Sequence, residues 1–237
     1  MTTEPATSPS IGPLALLRLV QLCDSALPIG AYSQSWGLEA YVARKLVARP
    51  AEVDRWLRSW LASTVAPGEG LMVARSADSA ASGDWFGLLA LNDLMTANRS
   101  AETLRRASFQ QGEALLNLAA GWPWSGAPAA LIRATSLGPW HHAVVFGAMA
   151  WAAGAPARDA VALFLQNAAA GIVGAAVRGV PIGHTHGQQI LARLLPSLVA
   201  LADEVAGRPV EQFGGLSPLY EVSAHAQSQL YTRIFQS

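Results

Sequence analysis

The chain has 237 residues, of which 51% are hydrophobic and only 14% are charged, whereas typical soluble domains contain about 25% charged residues. Its 16 basic and 16 acidic residues give a formal net charge of zero, which argues against a nucleic-acid-binding protein, since such proteins carry excess positive charge. A single cysteine, Cys23, excludes an intramolecular disulfide framework and fits a reducing compartment, so we expect a cytoplasmic location.

Helical periodicity dominates the sequence. Residues 1–13 are polar and proline-rich, and we expect them to form a flexible tail before a single domain over residues 14–237. Helices are predicted over residues 14–22, 35–46, 51–66, 85–97, 101–119, 141–153, 159–180, 188–206 and 219–235. No alternating strand pattern appears. The predicted fold is therefore all-α: one compact domain of about eight to ten helices.

Several residues mark the expected ends of these helices. Asp84 and Ser100 are predicted N-caps, because their side-chain oxygens can accept a backbone N–H of the first turn. Gly154 is expected to end the helix over 141–153. Pro196 is expected to kink or interrupt the helix over 188–206.

Two stretches without Asp, Glu, Lys or Arg, residues 134–157 and 160–177, resemble membrane spans in length. The first is broken by Gly138 and Pro139, and the second is rich in Ala and Gly. Both are predicted to be buried helices of a bundle. Small residues of the second stretch are expected to let another helix approach closely: Ala170, Gly171, Gly174 and Ala175. The sparse charge predicts that further apolar surface is covered in an oligomer or a complex.

Common catalytic motifs are absent from the sequence. A P-loop requires a lysine after glycine, and the chain's one lysine, Lys45, follows Arg44, so a P-loop NTPase is excluded. Neither a Gly-x-Ser-x-Gly elbow nor a Cys-x-x-Cys pair occurs. A helical hydrolase or lyase with Asp24, Glu39 or a histidine as base is one alternative, and a membrane-associated transporter subunit is another.

His184 and His186 form the best candidate metal site. In a loop, two imidazoles two residues apart can turn toward one cation such as nickel or zinc. Two polar loop histidines without a metal are the other interpretation. His141 and His142 are not expected to share a metal, because adjacent residues diverge on a helix.

Three segments resemble the UreF family of urease accessory proteins. The first reads Leu-Cys-Asp-Ser-Ala-Leu-Pro-Ile-Gly-Ala-Tyr-Ser-Gln-Ser-Trp-Gly-Leu-Glu over residues 22–39. The second, residues 175–188, contains Arg178 before a Gly-Gln pair, and the third is the C-terminal Leu-Tyr-Thr-Arg-Ile-Phe-Gln-Ser of residues 230–237. The resemblance implies an all-α homodimer that is not an enzyme. It also implies binding to UreD (also called UreH) and to the GTPase UreG, in a complex that delivers nickel to apo-urease.

Residues of all three segments are candidates for contact with partner proteins. For the loop over residues 24–33, a structural elbow between two helices is the other interpretation. The candidate partner-binding residues are Asp24, Pro28, Gly30, Tyr32, Ser33, Arg178, Pro181, Gly183, Gln188, Tyr231, Arg233 and Phe235. The sequence departs from the family at Gly183-His184, where Gly-Gln is usual, and at Gln227-Ser228, where His-Glu is usual. No tightly bound cofactor is expected, and nickel is expected to bind transiently if at all, at His184 and His186.

Overall fold

The computed structural model describes residues 11–99, 101–215, 220, 222–223 and 234–236. Within these residues the chain is helical and contains no strand. The helices are α1 (Pro13–Leu22), α2 (Leu38–Ala43), α3 (Pro50–Trp60), α4 (Leu71–Ser82), α5 (Trp85–Asn98), α6 (Glu102–Ala120), α7 (Gly126–Thr135), α8 (His142–Ala153), α9 (Ala157–Gly179) and α10 (His184–Ala206). The predicted all-α fold is confirmed; the flexible tail stays a prediction, because residues 1–10 lie outside the described range.

Helix α8 lies at the centre of the bundle. Its side chains Val144, Phe146 and Met149 have no exposed surface, and α4, α6 and α9 pack around it. Two glycines allow this close packing. A Cβ added at Gly147 would lie 2.4 Å from the carbonyl oxygen of Val73 on α4. A Cβ added at Gly112 of α6 would lie 1.9 Å from the carbonyl oxygen of Trp140.

A π-helical segment, Leu61–Gly70, joins α3 to α4. The sequence predicted that the helix after Pro50 ends at residue 66, which was wrong, and α4 was not predicted. Pro67 has no N–H, and in an α-helix its ring would press on the carbonyl four residues back. The wider π turn accommodates the ring. The carbonyl oxygen of Pro67 accepts the N–H of Gly214 at 3.2 Å.

Other helix ends also differ from the prediction. α2 is shorter than expected, because Gly37 (φ 84°) and Lys45 (φ 59°) adopt left-handed conformations on either side of it. α7 was not predicted, and α10 begins four residues earlier than expected and continues through Pro196 without interruption. Of the predicted last helix, Tyr220 is helical and Ile234 is not.

Two predicted helix ends are confirmed. The Asp84 carboxylate accepts the N–H of Gly87 at 2.8 Å at the start of α5. Gly154 ends α8 with a φ of 104°, a backbone conformation that glycine adopts without strain. Ser100, the other predicted cap, lies outside the described residues.

Among the described residues, α9 is the helix long and apolar enough to cross a membrane. Half of its most apolar window is buried inside the protein, and it packs against α4, α8 and α10. This packing is that of a core helix of a bundle, as the sequence predicted. The expected close approach of a helix to its small residues is not seen at Gly171 and Gly174, where an added Cβ meets no described atom within 4 Å.

Candidate functional site

The turn after α1 is built by local hydrogen bonds. Asp24 is exposed, and its carboxylate accepts the N–H of Ala26 at 2.8 Å. Gly30 adopts a φ of 79°, and its carbonyl accepts the hydroxyl proton of Ser33 at 2.9 Å. These bonds shape a short 3-10 turn, Ala31–Ser33. Its middle residue, Tyr32, is 74% exposed, so the turn presents an aromatic ring at the surface.

Arg178, in the last turn of α9, lies between two aromatic rings. Its guanidinium carbon is 3.7 Å from the ring centroid of Tyr32 and 4.7 Å from that of Phe235. The same guanidinium donates to the carbonyl oxygen of Tyr32 at 2.7 Å and to that of Gly174 at 3.1 Å. A cation over an aromatic face contributes about 0.5–2 kcal/mol. Arg178 thus joins the N-terminal turn to the C-terminal residues.

Glu39 of α2 makes a second connection to the C-terminal residues. The side chain is 8% exposed, and its two oxygens accept the backbone N–H of Ile234 at 2.6 Å and of Phe235 at 3.3 Å. The N–H of Gln236 donates to the carbonyl of Ser33 at 2.8 Å. Hydrogen bonds to a carboxylate are stronger than those between neutral groups. We call Tyr32, Ser33, Glu39, Arg178 and Phe235 the junction.

The junction contains four of the predicted partner-binding residues, Tyr32, Ser33, Arg178 and Phe235. Of the other predicted residues, Asp24, Pro28 and Gly30 lie in the turn after α1. Pro181, Gly183 and Gln188 are exposed, either just before α10 or in its first turns. Tyr231 and Arg233 lie outside the described residues. Glu39 was considered only as a possible catalytic base. The signal that could have identified it was one carboxylate among the apolar residues of a short predicted helix.

His184 and His186 do not lie in a loop, as predicted, but in the first turn of α10, where both are exposed. Residues two apart on an α-helix point about 200° away from each other, so this turn directs the two imidazoles to different sides. The described residues contain no group of three or more His, Cys, Asp or Glu side chains placed to hold a metal ion. Nickel binding at these histidines stays a prediction.

A cleft of about 490 Å³ adjoins the junction, and Tyr32 and Arg178 are among its lining residues. The turn after α1 forms one side and α9 the other, and residues of α6 and α8 also line it. Its walls are mostly apolar and aromatic. The polar side chains that line it include Glu69, Gln111 and His142.

Buried titratable groups near this region are held in their neutral forms. Burial raises the pKa of the Cys23 thiol to about 12, so the thiol stays protonated and is a poor nucleophile. Burial, and then the charge of Arg99, lowers the pKa of His142 to about 4. Burial also lowers the pKa of His141 to about 3. The His141 ring lies within hydrogen-bond distance of Ser108 (3.0 Å) and Thr96 (3.1 Å) and joins α5, α6 and α8.

Stability is expected to fall as the pH drops below 6.5, the ordinary histidine pKa. Between pH 6.5 and about 4 the unfolded chain binds protons at His141 and His142 that the folded chain does not bind. Each histidine then removes about 1.4 kcal/mol of unfolding free energy per pH unit. Urea unfolding between pH 7 and pH 4.5 measures this slope. Replacing His142 with phenylalanine should reduce this slope by about 1.4 kcal/mol per pH unit, which corresponds to one proton. An unchanged slope would contradict the lowered pKa of His142.

A family model and three relatives that match nearly the whole chain point to the same family. The UreF family model matches residues 47–195 of this chain. A urease accessory protein UreF from Azoarcus sp. (strain BH72) is 33% identical over 98% of this chain and 100% of its own length. UreF proteins from Paenarthrobacter aurescens (strain TC1) and Xanthobacter autotrophicus are each 30% identical, over 93% and 98% of this chain and 97% and 95% of their own lengths.

Proposed function

Because the chain belongs to the UreF family of urease accessory proteins, which are non-catalytic maturation factors, we propose that it acts as a scaffold in urease maturation. The scaffold joins UreD (also called UreH) to the GTPase UreG, and the assembly delivers nickel to apo-urease. The observation that carries this proposal is the similarity to UreF proteins over almost the whole chain.

The two carboxylates considered as catalytic bases, Asp24 and Glu39, both form hydrogen bonds with the backbone. The Asp24 carboxylate bonds to a backbone N–H of its own turn, and the Glu39 carboxylate bonds to two backbone N–H groups. The alternative of a helical hydrolase or lyase with these residues as bases therefore has no support. Nucleotide hydrolysis has to come from a partner, since the chain lacks a P-loop lysine.

Apolar surface on α1 supports a role in an assembly. Leu14, Leu16, Leu17 and Val20 are each more than half exposed. Exposed apolar patches on a chain with few charges mark surfaces that a partner covers. A homodimer in the cytoplasm, with further surface for UreD and UreG, fits the composition and the family.

The contacts at the junction support a dependence of partner binding on the C-terminal segment of the chain. Phe235 and Gln236 are held by contacts to Arg178 and Ser33, more than 50 residues away along the chain. We propose that this segment and the residues from Arg178 to Gln188 order each other when a partner binds. Deleting residues 218–237 is expected to abolish partner binding and to leave a folded helical dimer.

The experiment that tests the function is nickel-dependent urease activity in cells that carry the source's urease cluster. Deleting this reading frame is expected to abolish activity at limiting nickel, and the intact chain supplied in trans is expected to restore it. Co-purification of the tagged chain with UreD and UreG measures the scaffold role directly. Unchanged urease activity in the deletion strain would overturn the maturation role, and loss of activity without co-purification would overturn the scaffold.

A further inference from the structure

The chain reverses direction in a tight turn over residues 35–38, just before α2. The N–H of Leu38 donates to the carbonyl of Ser35 at 3.0 Å. Both central residues of the turn, Trp36 (φ 49°) and Gly37 (φ 84°), adopt left-handed conformations. Glycine, asparagine and aspartate dominate such positions, and a bulky residue with a positive φ persists only where surrounding contacts hold it. Tertiary contacts therefore hold Trp36 in the turn against its local preference.

The turn lies between two residues of the junction. Ser33 precedes Trp36 by three residues, and Glu39 follows it by three. The carbonyl of Ser33 accepts the N–H of Gln236 at 2.8 Å, and the carboxylate of Glu39 accepts the two N–H groups before it in the chain. The reversal at Trp36 thus brings both acceptors to the same three consecutive residues near the C-terminus.

Arg99, which follows α5, holds the indole ring of Trp36. Its guanidinium carbon lies 6.0 Å from the ring centroid, within the range of a cation–π contact. The guanidinium forms an ion pair with Glu69 of the π-helical segment, and the two side chains are 12% and 13% exposed. It also donates to the carbonyl of Leu104 on α6 at 3.4 Å. Arg99 therefore ties the turn to two further elements of the bundle.

From the strained turn and its contact with Arg99, we infer that Trp36 and Arg99 are positioning residues for the junction. Arg99 anchors the ring, the ring orients the turn, and the turn places Ser33 and Glu39 where they hold the C-terminal residues. That partner binding in turn requires Arg99 rests on the proposed function, in which partners need the C-terminal segment.

Amide hydrogen exchange of the full chain measures how firmly residues 234–236 are held. Arg99→Met removes the charge above the indole ring and keeps a long side chain. We expect the N–H groups of residues 234–236 to exchange about tenfold faster in this variant, which corresponds to a lost cation–π contact. The N–H groups of the buried helix α8 should change by a smaller factor. An equal factor at both places, or faster exchange in α8 alone, would overturn the positioning role.

The matched control is an arginine of another ion pair. Arg133 pairs with Glu113, with side chains 30% and 32% exposed, and Arg133→Met should leave exchange at residues 234–236 unchanged. Arg99→Lys keeps a positive charge but not the planar fork, so it should restore part of the slow exchange. Similar acceleration in Arg133→Met and Arg99→Met would contradict a specific role for Arg99.

A second variant tests the ring itself and replaces Arg99→Met if that variant does not fold. Asparagine tolerates the left-handed conformation, so Trp36→Asn keeps the local turn and removes the group that Arg99 contacts. We expect the same acceleration at residues 234–236, on the order of tenfold. Unchanged exchange would show that the turn alone places the acceptors and would overturn the role of the ring.

Urease activation tests the link to partner binding. Arg99→Met is expected to lower urease activity at limiting nickel about fivefold, whereas Arg133→Met should not change it. Full activation by an Arg99→Met variant that shows faster exchange at residues 234–236 would overturn the link. Unchanged urease activity after deletion of the reading frame would instead overturn the proposed function, and the exchange measurement decides the positioning role independently.

Discussion

Replacing Gly112 with alanine is expected to lower the free energy of unfolding by about 3 kcal/mol. The added Cβ would lie 1.9 Å from the carbonyl oxygen of Trp140 and 2.7 Å from the carbonyl carbon of His141. Both are backbone atoms, which cannot rotate away, so α6 and the start of α8 have to separate. That movement also strains the contact between Ser108 and the His141 ring. Urea unfolding at pH 7.5 measures the loss.

The matched control for this variant is Gly171→Ala, also within a helix. An added Cβ at Gly171 meets no described atom within 4 Å, and alanine favours a helix over glycine by about 1 kcal/mol. Gly171→Ala should therefore leave stability unchanged or raise it. Similar losses in both variants would show that the contact with Trp140 is not the cause.

Replacing Arg178 with alanine is expected to reduce urease activation at least tenfold. The guanidinium is the group that contacts both Tyr32 and Phe235, so its removal separates the N-terminal turn from the C-terminal residues. Arg178→Lys keeps the charge but loses the planar group that stacks on both rings, so it is expected to restore only part of the activity. Urease activity at limiting nickel and co-purification of UreD and UreG are the measurements.

The control for Arg178 is another arginine of the same helix. Arg158 forms an exposed ion pair with Asp203, and such pairs contribute little to stability. Arg158→Ala should leave urease activation unchanged. Melting temperatures identify any general loss of stability. A folded Arg178→Ala variant that activates urease as well as the wild type would contradict a role for the junction.

The helices that the sequence predicted best have strong local signals. α5 begins after Asp84, a good N-cap, and α8 ends at a glycine that adopts a left-handed conformation. Prediction failed after residue 66, where the predicted helix ended and no further helix was predicted before residue 85. Pro67 lies inside a helical segment, because a π turn makes room for its ring and Gly214 pairs with its carbonyl. Such long-range support has no local signature.

At the junction, too, local motifs were more informative than the contacts between distant segments. Tyr32, Arg178 and Phe235 were predicted from motifs. A link between the C-terminal segment and the turn from Arg178 was expected only when a partner binds, and the contact of Arg178 with Tyr32 was not predicted. Glu39 was missed because its partners, Ile234 and Phe235, are almost 200 residues away along the chain. The loop predicted around His184 was wrong because Gly183 is already the N-cap of α10. Helix periodicity identifies which face is buried, whereas pairing between distant segments depends on the tertiary fold.

The π-helical segment between α3 and α4 has a consequence for how insertions and deletions are tolerated. Each residue of an α-helix turns the chain by about 100°, and a residue of the wider π-helix turns it by somewhat less. Deleting one residue between 61 and 70 would therefore rotate α4 by a large fraction of a turn relative to α3 and move Val73 away from Gly147, where the two backbones are in close contact. The spacing between Trp60 and Leu71 is therefore fixed by the packing of α4 on α8.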